Sequence, residues 1–146
     1  EIRTRLVGSE MCIRDRDFEF ELEEVDKKLI EEAEACFDNT GSLIEKVELK
    51  ASLQSIMAYV NKINAYLNQT EPWKVIKEDK KRATAILYSA ITCIDASATM
   101  FTPFMPTSSE KVLQAIQKET DNNWSLNKIK KGAQIENIGH LFKKID

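Results

Sequence analysis

Glycine and proline are scarce in this sequence, and their scarcity favours a fold of long helices joined by few turns. Four glycines and three prolines occur in 146 residues. These two residue types are the strongest local breakers of regular structure, so the long segments between them can remain helical. No segment has the alternation of apolar and polar residues that is typical of a half-buried strand. The sequence therefore predicts an all-α helical bundle with an extended C-terminal tail.

Apolar residues at three- and four-residue steps predict the first two helices. The first is predicted over residues 20–37 and is ended by the turn at 38–41, where Gly41 would supply the left-handed conformation of a helix stop. Ser42 and Glu45 form a capping box for a second helix that extends to Asn68. The second helix is predicted to bury one stripe: Leu49, Leu53, Ile56, Met57, Val60, Ile63 and Leu67.

Thr70 is predicted to cap a short third helix, and Pro72 is tolerated in its first turn because the amide there is unpaired. Trp73 is thereby predicted to lie at a helix start. The following segment, residues 80–101, is apolar on more than one side. A helix with so wide an apolar surface is predicted to be central, with several partners around it.

Pro103 and Pro106 break the chain after this central helix. Thr107 and Glu110 form a capping box for a last helix over residues 107–118. The remaining tail has little periodicity and is expected to pack back across the bundle. Its apolar residues are Ile129, Ile135, Leu141 and Phe142.

Residues 1–16 do not fit the sequence that follows them. They contain four arginines, whereas Arg82 is the only arginine in the rest of the chain. Residues 6–16 can be encoded without a mismatch by the adaptor of transposase-made sequencing libraries. We therefore expect residues 1–16 to be an assembly artefact and residues 17–146 to be a domain truncated at its N-terminal side. The alternative is a natural arginine-rich arm that binds RNA phosphates.

Subtracting residues 1–16 from 146 leaves 130 residues, enough for one domain with its own core. This part has 17 basic and 21 acidic side chains, a net charge near −4, which argues against general nucleic-acid binding. Cys36 and Cys93 are far apart and are expected to be buried thiols. No apolar run reaches the roughly 20 residues of a membrane span.

An aromatic residue next to a short cationic run is the most specific functional signal. Trp73 follows a rigid turn, and Lys74, Lys77, Lys80, Lys81 and Arg82 come just after it. An exposed indole can stack on an unpaired base while nearby cations hold the phosphates. The alternative interpretation is a core tryptophan beside a solvated face.

Four segments resemble, in the same order, the helical anticodon-binding domain of the methionyl-tRNA synthetase family. The hallmark is the segment 64–74. The segments are 44–53, Ile-Glu-Lys-Val-Glu-Leu-Lys-Ala-Ser-Leu; 64–74, Asn-Ala-Tyr-Leu-Asn-Gln-Thr-Glu-Pro-Trp-Lys; 101–110, Phe-Thr-Pro-Phe-Met-Pro-Thr-Ser-Ser-Glu; and 141–146, Leu-Phe-Lys-Lys-Ile-Asp. The resemblance covers residues 17–146.

The resemblance implies that Trp73 stacks on a base of the methionine anticodon. It also implies tRNA contacts for Asn64, nine residues earlier, and for Lys77, one turn later. Asn68 occupies a position that is acidic in some members, and Lys74 closes the hallmark. The family's other anticodon-reading asparagine and arginine precede the first predicted helix, so this sequence is expected to carry half of the reading surface.

The resemblance further implies a cytoplasmic parent enzyme that joins methionine to its tRNA with ATP and Mg²⁺. An upstream catalytic domain of the same polypeptide would bind both. The family's catalytic signatures have no counterpart in these residues, so we expect no catalytic residue, metal ligand or cofactor here. The expected partner is the tRNA for methionine, without a membrane. The only histidine, His140, is expected to be structural.

Two other functions are compatible with a helical bundle. One is the related domain of another class I synthetase, such as those for valine, isoleucine, leucine or cysteine. The other is a free-standing helical module that binds a protein partner, as the acidic first helix could suggest. Tyr66 is expected to pack under the turn and Trp124 to cover the end of the bundle.

Overall fold

The computed structural model describes residues 20–116, 124–126 and 141. Five helices lie in them: α1 (Glu24–Glu45), α2 (Leu49–Thr70), α3 (Pro72–Val75), α4 (Lys80–Phe101) and α5 (Pro106–Ala115). None of the described residues forms a strand, and the predicted all-α bundle is confirmed. Residues 1–16 lie outside the described part, as do Ile129, Ile135, His140 and Phe142.

Helix α4 is the centre of the bundle, as its wide apolar surface predicted. It contacts each of the other four helices, and α1 also packs against α2. Its small residues Ala83, Ala90 and Ala96 are buried and allow these neighbours to approach closely. By length and composition α4 could cross a membrane, but 78% of its most apolar window is buried within the protein. Its apolar character therefore reflects its place in the core.

The boundary between α1 and α2 was predicted wrongly at Gly41 and lies six residues later. The amide of Glu48 donates to the carbonyl of Leu43 (2.8 Å), and the amide of Val47 donates to that of Ile44 (2.9 Å). These two bonds form a Schellman motif, which requires a left-handed residue just past the helix. Val47 fills that position with φ 62°, although glycine is the usual residue there.

Gly41 therefore lies inside α1, and Ser42 does not begin a helix. A Cβ added at Gly41 would lie 3.1 Å from the indole nitrogen of Trp124. That indole donates to the carbonyl of Phe37 (3.3 Å) and meets the Phe37 ring edge-on. Trp124 thus packs against α1 at Phe37 and Gly41, and the missing side chain of Gly41 permits the close contact. This packing compensates for the low helix propensity of glycine.

The buried face of α2 is rotated relative to the predicted stripe. Ile56 and Ile63 are buried as predicted, but Leu49, Leu53 and Met57 are 50%, 37% and 48% exposed. Their places in the core are taken by Ser52, Tyr59 and Tyr66. The two tyrosines can be buried because their hydroxyls have partners in α1. Apolarity alone could not reveal that tyrosines would be preferred to leucines.

Both predicted threonine caps were wrong. The Thr70 hydroxyl donates back to the carbonyl of Tyr66 (2.8 Å) instead of capping α3. Thr107 lies one residue inside α5, whose first residue is Pro106. Since proline has no amide to satisfy, it can open a helix without a side-chain cap. In the described residues α5 ends at Ala115, and residues 117–123 lie outside them.

The two described cysteines, Cys36 and Cys93, are buried free thiols, which confirms their predicted role as small core residues. Burial raises the pKa of Cys93 to about 11, so its thiol stays protonated at neutral pH.

Candidate nucleic-acid interface

Trp73 lies at a tight corner where α2 gives way to α3. Glu71 makes the corner with a left-handed backbone (φ 41°) and belongs to neither helix. Its amide donates to Leu67 at the end of α2 (3.0 Å), and its carbonyl accepts from the amide of Lys74 (2.8 Å). Pro72 is buried at the first position of α3, whereas Trp73 is only partly buried. The indole is therefore held by a fixed backbone while part of it remains accessible to solvent.

Asn64 and Asn68 lie in the last two turns of α2, immediately before this corner. Both are exposed, and their four-residue spacing puts them on one face of the helix. We call Asn64 and Asn68 the asparagine face. Each amide offers one acceptor and two donors, the groups that read the edges of bases. The structure thus places the asparagine face and Trp73 on consecutive elements.

The lysines that follow Trp73 remain at the surface. Lys74 pairs with Glu71 at 2.8 Å, and since both side chains are substantially exposed this pair contributes little to stability. Lys77 is exposed and has no ion pair with another described residue. Lys80 and Lys81, in the first turn of α4, are exposed as well. These four lysines stand beside the acids Glu71, Glu78 and Asp79, so residues 71–81 carry a net charge of +1 (4 − 3) in a chain whose net charge is −3.

Arg82 differs from these lysines because its guanidinium turns inward. It makes two hydrogen bonds to the fully buried carboxylate of Asp26, and its Nε lies 3.2 Å from Glu23. The Tyr66 hydroxyl donates to the same carboxylate. Tyr66 thus packs beneath the corner, as expected. Arg82 belongs to the interior and is not available for phosphate contact.

Asp26, Tyr66 and Arg82 form a network that sequence reasoning missed. Burial alone would raise the pKa of Asp26, but hydrogen bonds from Arg82 and Tyr66 outweigh burial and lower it. Burial and the bond to Asp26 raise the pKa of Tyr66, so its hydroxyl remains a donor. Asp26 is one of many acids in the first helix, and no pattern sets it apart. The one feature of the sequence that could have indicated this network is Arg82, the single arginine beyond residue 16.

No group of three or more metal-binding side chains occurs in the described part of the chain. The elements that meet at the corner carry a partly exposed aromatic ring, two exposed amides and surface lysines. This set can bind a single-stranded nucleic-acid loop by stacking, base-edge hydrogen bonds and phosphate contacts.

Comparison with known proteins shows which proteins this chain resembles. Residues 19–146 match the family described as the anticodon binding domain of methionyl tRNA ligase. The methionine–tRNA ligase of Pyrococcus furiosus is 32% identical over 124 residues, which cover 85% of this chain and 17% of that protein. That of Chloroflexus aurantiacus is 40% identical over 87 residues, 60% of this chain and 14% of that protein.

A solved structure has the same fold. The apo methionyl-tRNA synthetase of Mycobacterium tuberculosis superposes with a TM-score of 0.79 at 19% identity, covering 86% of this chain and 27% of that one. The chain spans about one sixth of the length of the curated relatives above.

Proposed function

The chain belongs to the family of methionyl-tRNA ligase anticodon-binding domains, and we propose that it selects the tRNA for methionine by binding its anticodon loop. The protein that carries this domain would be a cytoplasmic ligase that joins methionine to its tRNA. ATP and Mg²⁺ would be bound by a catalytic domain of the same polypeptide. The role of the residues described here is selection of the tRNA.

The position of Trp73 is the observation that carries this proposal. Its corner is fixed by hydrogen bonds on both sides, from Glu71 to Leu67 and from Lys74 to Glu71. A base that stacks on an indole held in this way loses less entropy than one that must first order a loop. Such stacking contributes roughly 1–3 kcal/mol per base. Partial exposure of Trp73 leaves part of the side chain open to a base, as a stacking platform requires.

The asparagine face would add sequence preference to this stacking. Stacking by itself tolerates any base, since every base has a π-face. Amide groups distinguish bases by matching donors and acceptors on their exposed edges. Asn64 and Asn68 are exposed in the turns that lead to Trp73, so both can contact bases next to the stacked one.

Electrostatics supports a local contact with RNA. Phosphate contacts by cations dominate non-specific affinity, and a net charge of −3 works against coating a nucleic acid. Lys74 and Lys77 follow Trp73 within about one turn and would hold the backbone of the loop. Lys77 is the better candidate, because Lys74 is already paired with Glu71.

Competition binding tests the proposal. A labelled RNA stem-loop with the methionine anticodon is bound to the chain and displaced by unlabelled stem-loops that differ only in the anticodon. We expect changed anticodons to compete about tenfold more weakly, because base-edge groups left without their hydrogen-bond partners cost about 1–3 kcal/mol. Equal competition by all anticodons would exclude the proposed selectivity.

A matched pair of variants assigns that selectivity to the asparagine face. Asn64→Ala should weaken binding of the methionine stem-loop by roughly tenfold, as loss of a base-edge hydrogen-bond pair does. Gln54→Ala is the control: Gln54 is also an exposed amide on α2, but it lies ten residues, or about 15 Å, before Asn64. An equal loss in both variants would show that the asparagine face does not read bases.

A further inference from the structure

The carboxylate of Asp26 joins three helix ends beneath the Trp73 corner. Asp26 lies in the first turn of α1 and is fully buried. It accepts hydrogen bonds from Arg82 through Nη1 and Nη2, the latter at 3.0 Å, and from the hydroxyl of Tyr66. It also accepts from the backbone amide of Glu23 at 2.9 Å. Four donors from three elements therefore converge on one side chain.

The two side-chain partners of Asp26 bracket the corner in sequence. Tyr66 belongs to the last turns of α2, and Arg82 belongs to the first turn of α4. The chain between Tyr66 and Arg82 is held by hydrogen bonds between residues three or four positions apart. The Thr70 hydroxyl bonds to Tyr66, the amide of Asp79 bonds to Val75 at 2.8 Å, and the Asp79 carboxylate caps α4. The segment 67–81 is thus anchored to Asp26 at both ends.

We propose that Asp26, Tyr66 and Arg82 are positioning residues that fix the orientation of Trp73 for stacking on the anticodon. This inference rests on the proposed function. None of the three side chains needs to touch RNA: each acts through the backbone of the corner. The charged, bidentate bond of Arg82 specifies direction as well as distance, which a neutral apolar contact would not do.

Displacement of the corner has a functional consequence because stacking depends on geometry. A shift of about 1 Å in a positioning element can lower the efficiency of a site by a large factor even when the fold persists. If the Tyr66 bond is lost, the end of α2 is released from Asp26 while α4 stays attached through Arg82. Trp73 lies between these two ends and would therefore change its orientation and its exposure.

Tyr59 provides a matched control for Tyr66. It is another buried tyrosine of α2, and its hydroxyl donates to the carbonyl of Leu29 in α1 at 3.0 Å. Tyr59→Phe and Tyr66→Phe therefore make the same chemical change and each removes one buried bond between α1 and α2. Tyr59 is two helical turns further from the corner, so only Tyr66→Phe should affect Trp73.

The experiment follows Trp73 directly by fluorescence. The sequence has two tryptophans, so a Trp124→Phe background of the full chain leaves Trp73 as the single emitter. Acrylamide quenching of the free protein and affinity for the methionine stem-loop are measured for Tyr66→Phe, Tyr59→Phe and Arg82→Lys. Thermal melting in the same samples shows the loss of stability in each variant.

We expect quenching of Trp73 to change in Tyr66→Phe and stem-loop affinity to fall about three- to tenfold, part of the stacking contribution. Tyr59→Phe should leave both unchanged at a similar melting temperature. Arg82→Lys should behave like Tyr66→Phe, because lysine keeps the charge but not the bidentate geometry. Identical quenching and affinity in the two tyrosine variants would overturn the inference.

The outcomes also separate this inference from the proposed function. A change in quenching together with stem-loop binding that ignores the anticodon would refute the function and leave the positioning role intact. Anticodon-selective binding with unchanged quenching in Tyr66→Phe and Arg82→Lys would refute the positioning role and leave the function intact.

Discussion

Among single residues, Asp26 and Arg82 form the most deeply buried ion pair of the described structure. Asp26 is fully buried and the Arg82 side chain is 17% exposed. Removing one member of such a pair leaves an uncompensated buried charge. By contrast, the pair Lys62–Glu32 (3.2 Å) has side chains 57% and 32% exposed and is screened by solvent.

Arg82→Gln should lower the free energy of unfolding by about 3 kcal/mol at pH 7. The loss should shrink as the pH falls toward 5. In the native chain the pKa of Asp26 is below its usual value of 3.8, so its stabilising contribution is complete above that pH and is lost only below it. Burial is the largest single influence on the pKa of Asp26, and we expect it to raise that pKa once Arg82 is removed, so the folded variant takes up a proton that the unfolded chain does not.

Urea unfolding at pH 7 and at pH 5 measures the loss of unfolding free energy in Arg82→Gln at each pH. Lys62→Gln serves as the control and should cost less than about 1 kcal/mol at either pH. A loss in Arg82→Gln that stays constant between the two pH values would contradict the account of Asp26.

The residue scale is also where sequence reasoning was least complete. Trp73, Lys74 and Lys77 could be chosen because an aromatic residue beside a cationic run suits RNA. Asn64 and Asn68 came only from the resemblance to the family, and the tRNA contacts of all five residues remain predictions. The buried network could not be chosen, since its members are 40 and 56 residues from Asp26 in sequence. Only the fold brings them together.

At the scale of helices, the position of the first break shows how tertiary contacts override local preference. The turn-like run ending at Gly41 continues as helix because Thr40 is buried and Trp124 packs over Gly41. The chain then turns at Val47, a β-branched residue that favours other conformations. The existence of the two helices could be predicted from periodicity, whereas their boundary depended on a contact with residue 124.

Val47→Gly should raise the free energy of unfolding by about 0.5–1 kcal/mol. A left-handed backbone costs a residue with a Cβ roughly 1–2 kcal/mol, and glycine removes this cost. Part of the gain is offset because glycine has greater freedom in the unfolded chain. Val47 is 76% exposed, so little burial is lost. Thermal or urea unfolding would measure the gain.

Lys46→Gly is the control for this change. Lys46 precedes Val47 with φ −82°, where glycine relieves no strain. This variant should lose about 0.5–1 kcal/mol of unfolding free energy. A destabilised Val47→Gly variant would show that the left-handed turn at Val47 is not strained.

At the scale of the whole molecule, the bundle was predictable because its central helix is apolar on several sides. The rotated face of α2 was not, and it leaves Leu49, Leu53 and Met57 exposed among the described residues. The corner that holds Trp73 lies between α2 and α3, and the bonds of Asp26 to Tyr66 and Arg82 tie its two sides to the start of α1. The buried residues Asp26, Tyr66 and Arg82 therefore affect both the stability of the fold and the geometry of the interface, whereas Trp73 is proposed to contact the RNA.

We propose that Trp73 binds RNA and does not serve mainly as a core residue. Trp73→Ala in the full chain, measured for stem-loop affinity and for unfolding free energy, tests it most directly. Trp124→Ala is the matched control, since Trp124 packs on α1 at Gly41. We predict that Trp73→Ala weakens binding of the methionine stem-loop about ten- to a hundredfold and costs less than about 2 kcal/mol of stability. Trp124→Ala should leave affinity unchanged. Unchanged affinity in Trp73→Ala, or a stability loss of about 3–5 kcal/mol typical of core tryptophans, would contradict the claim.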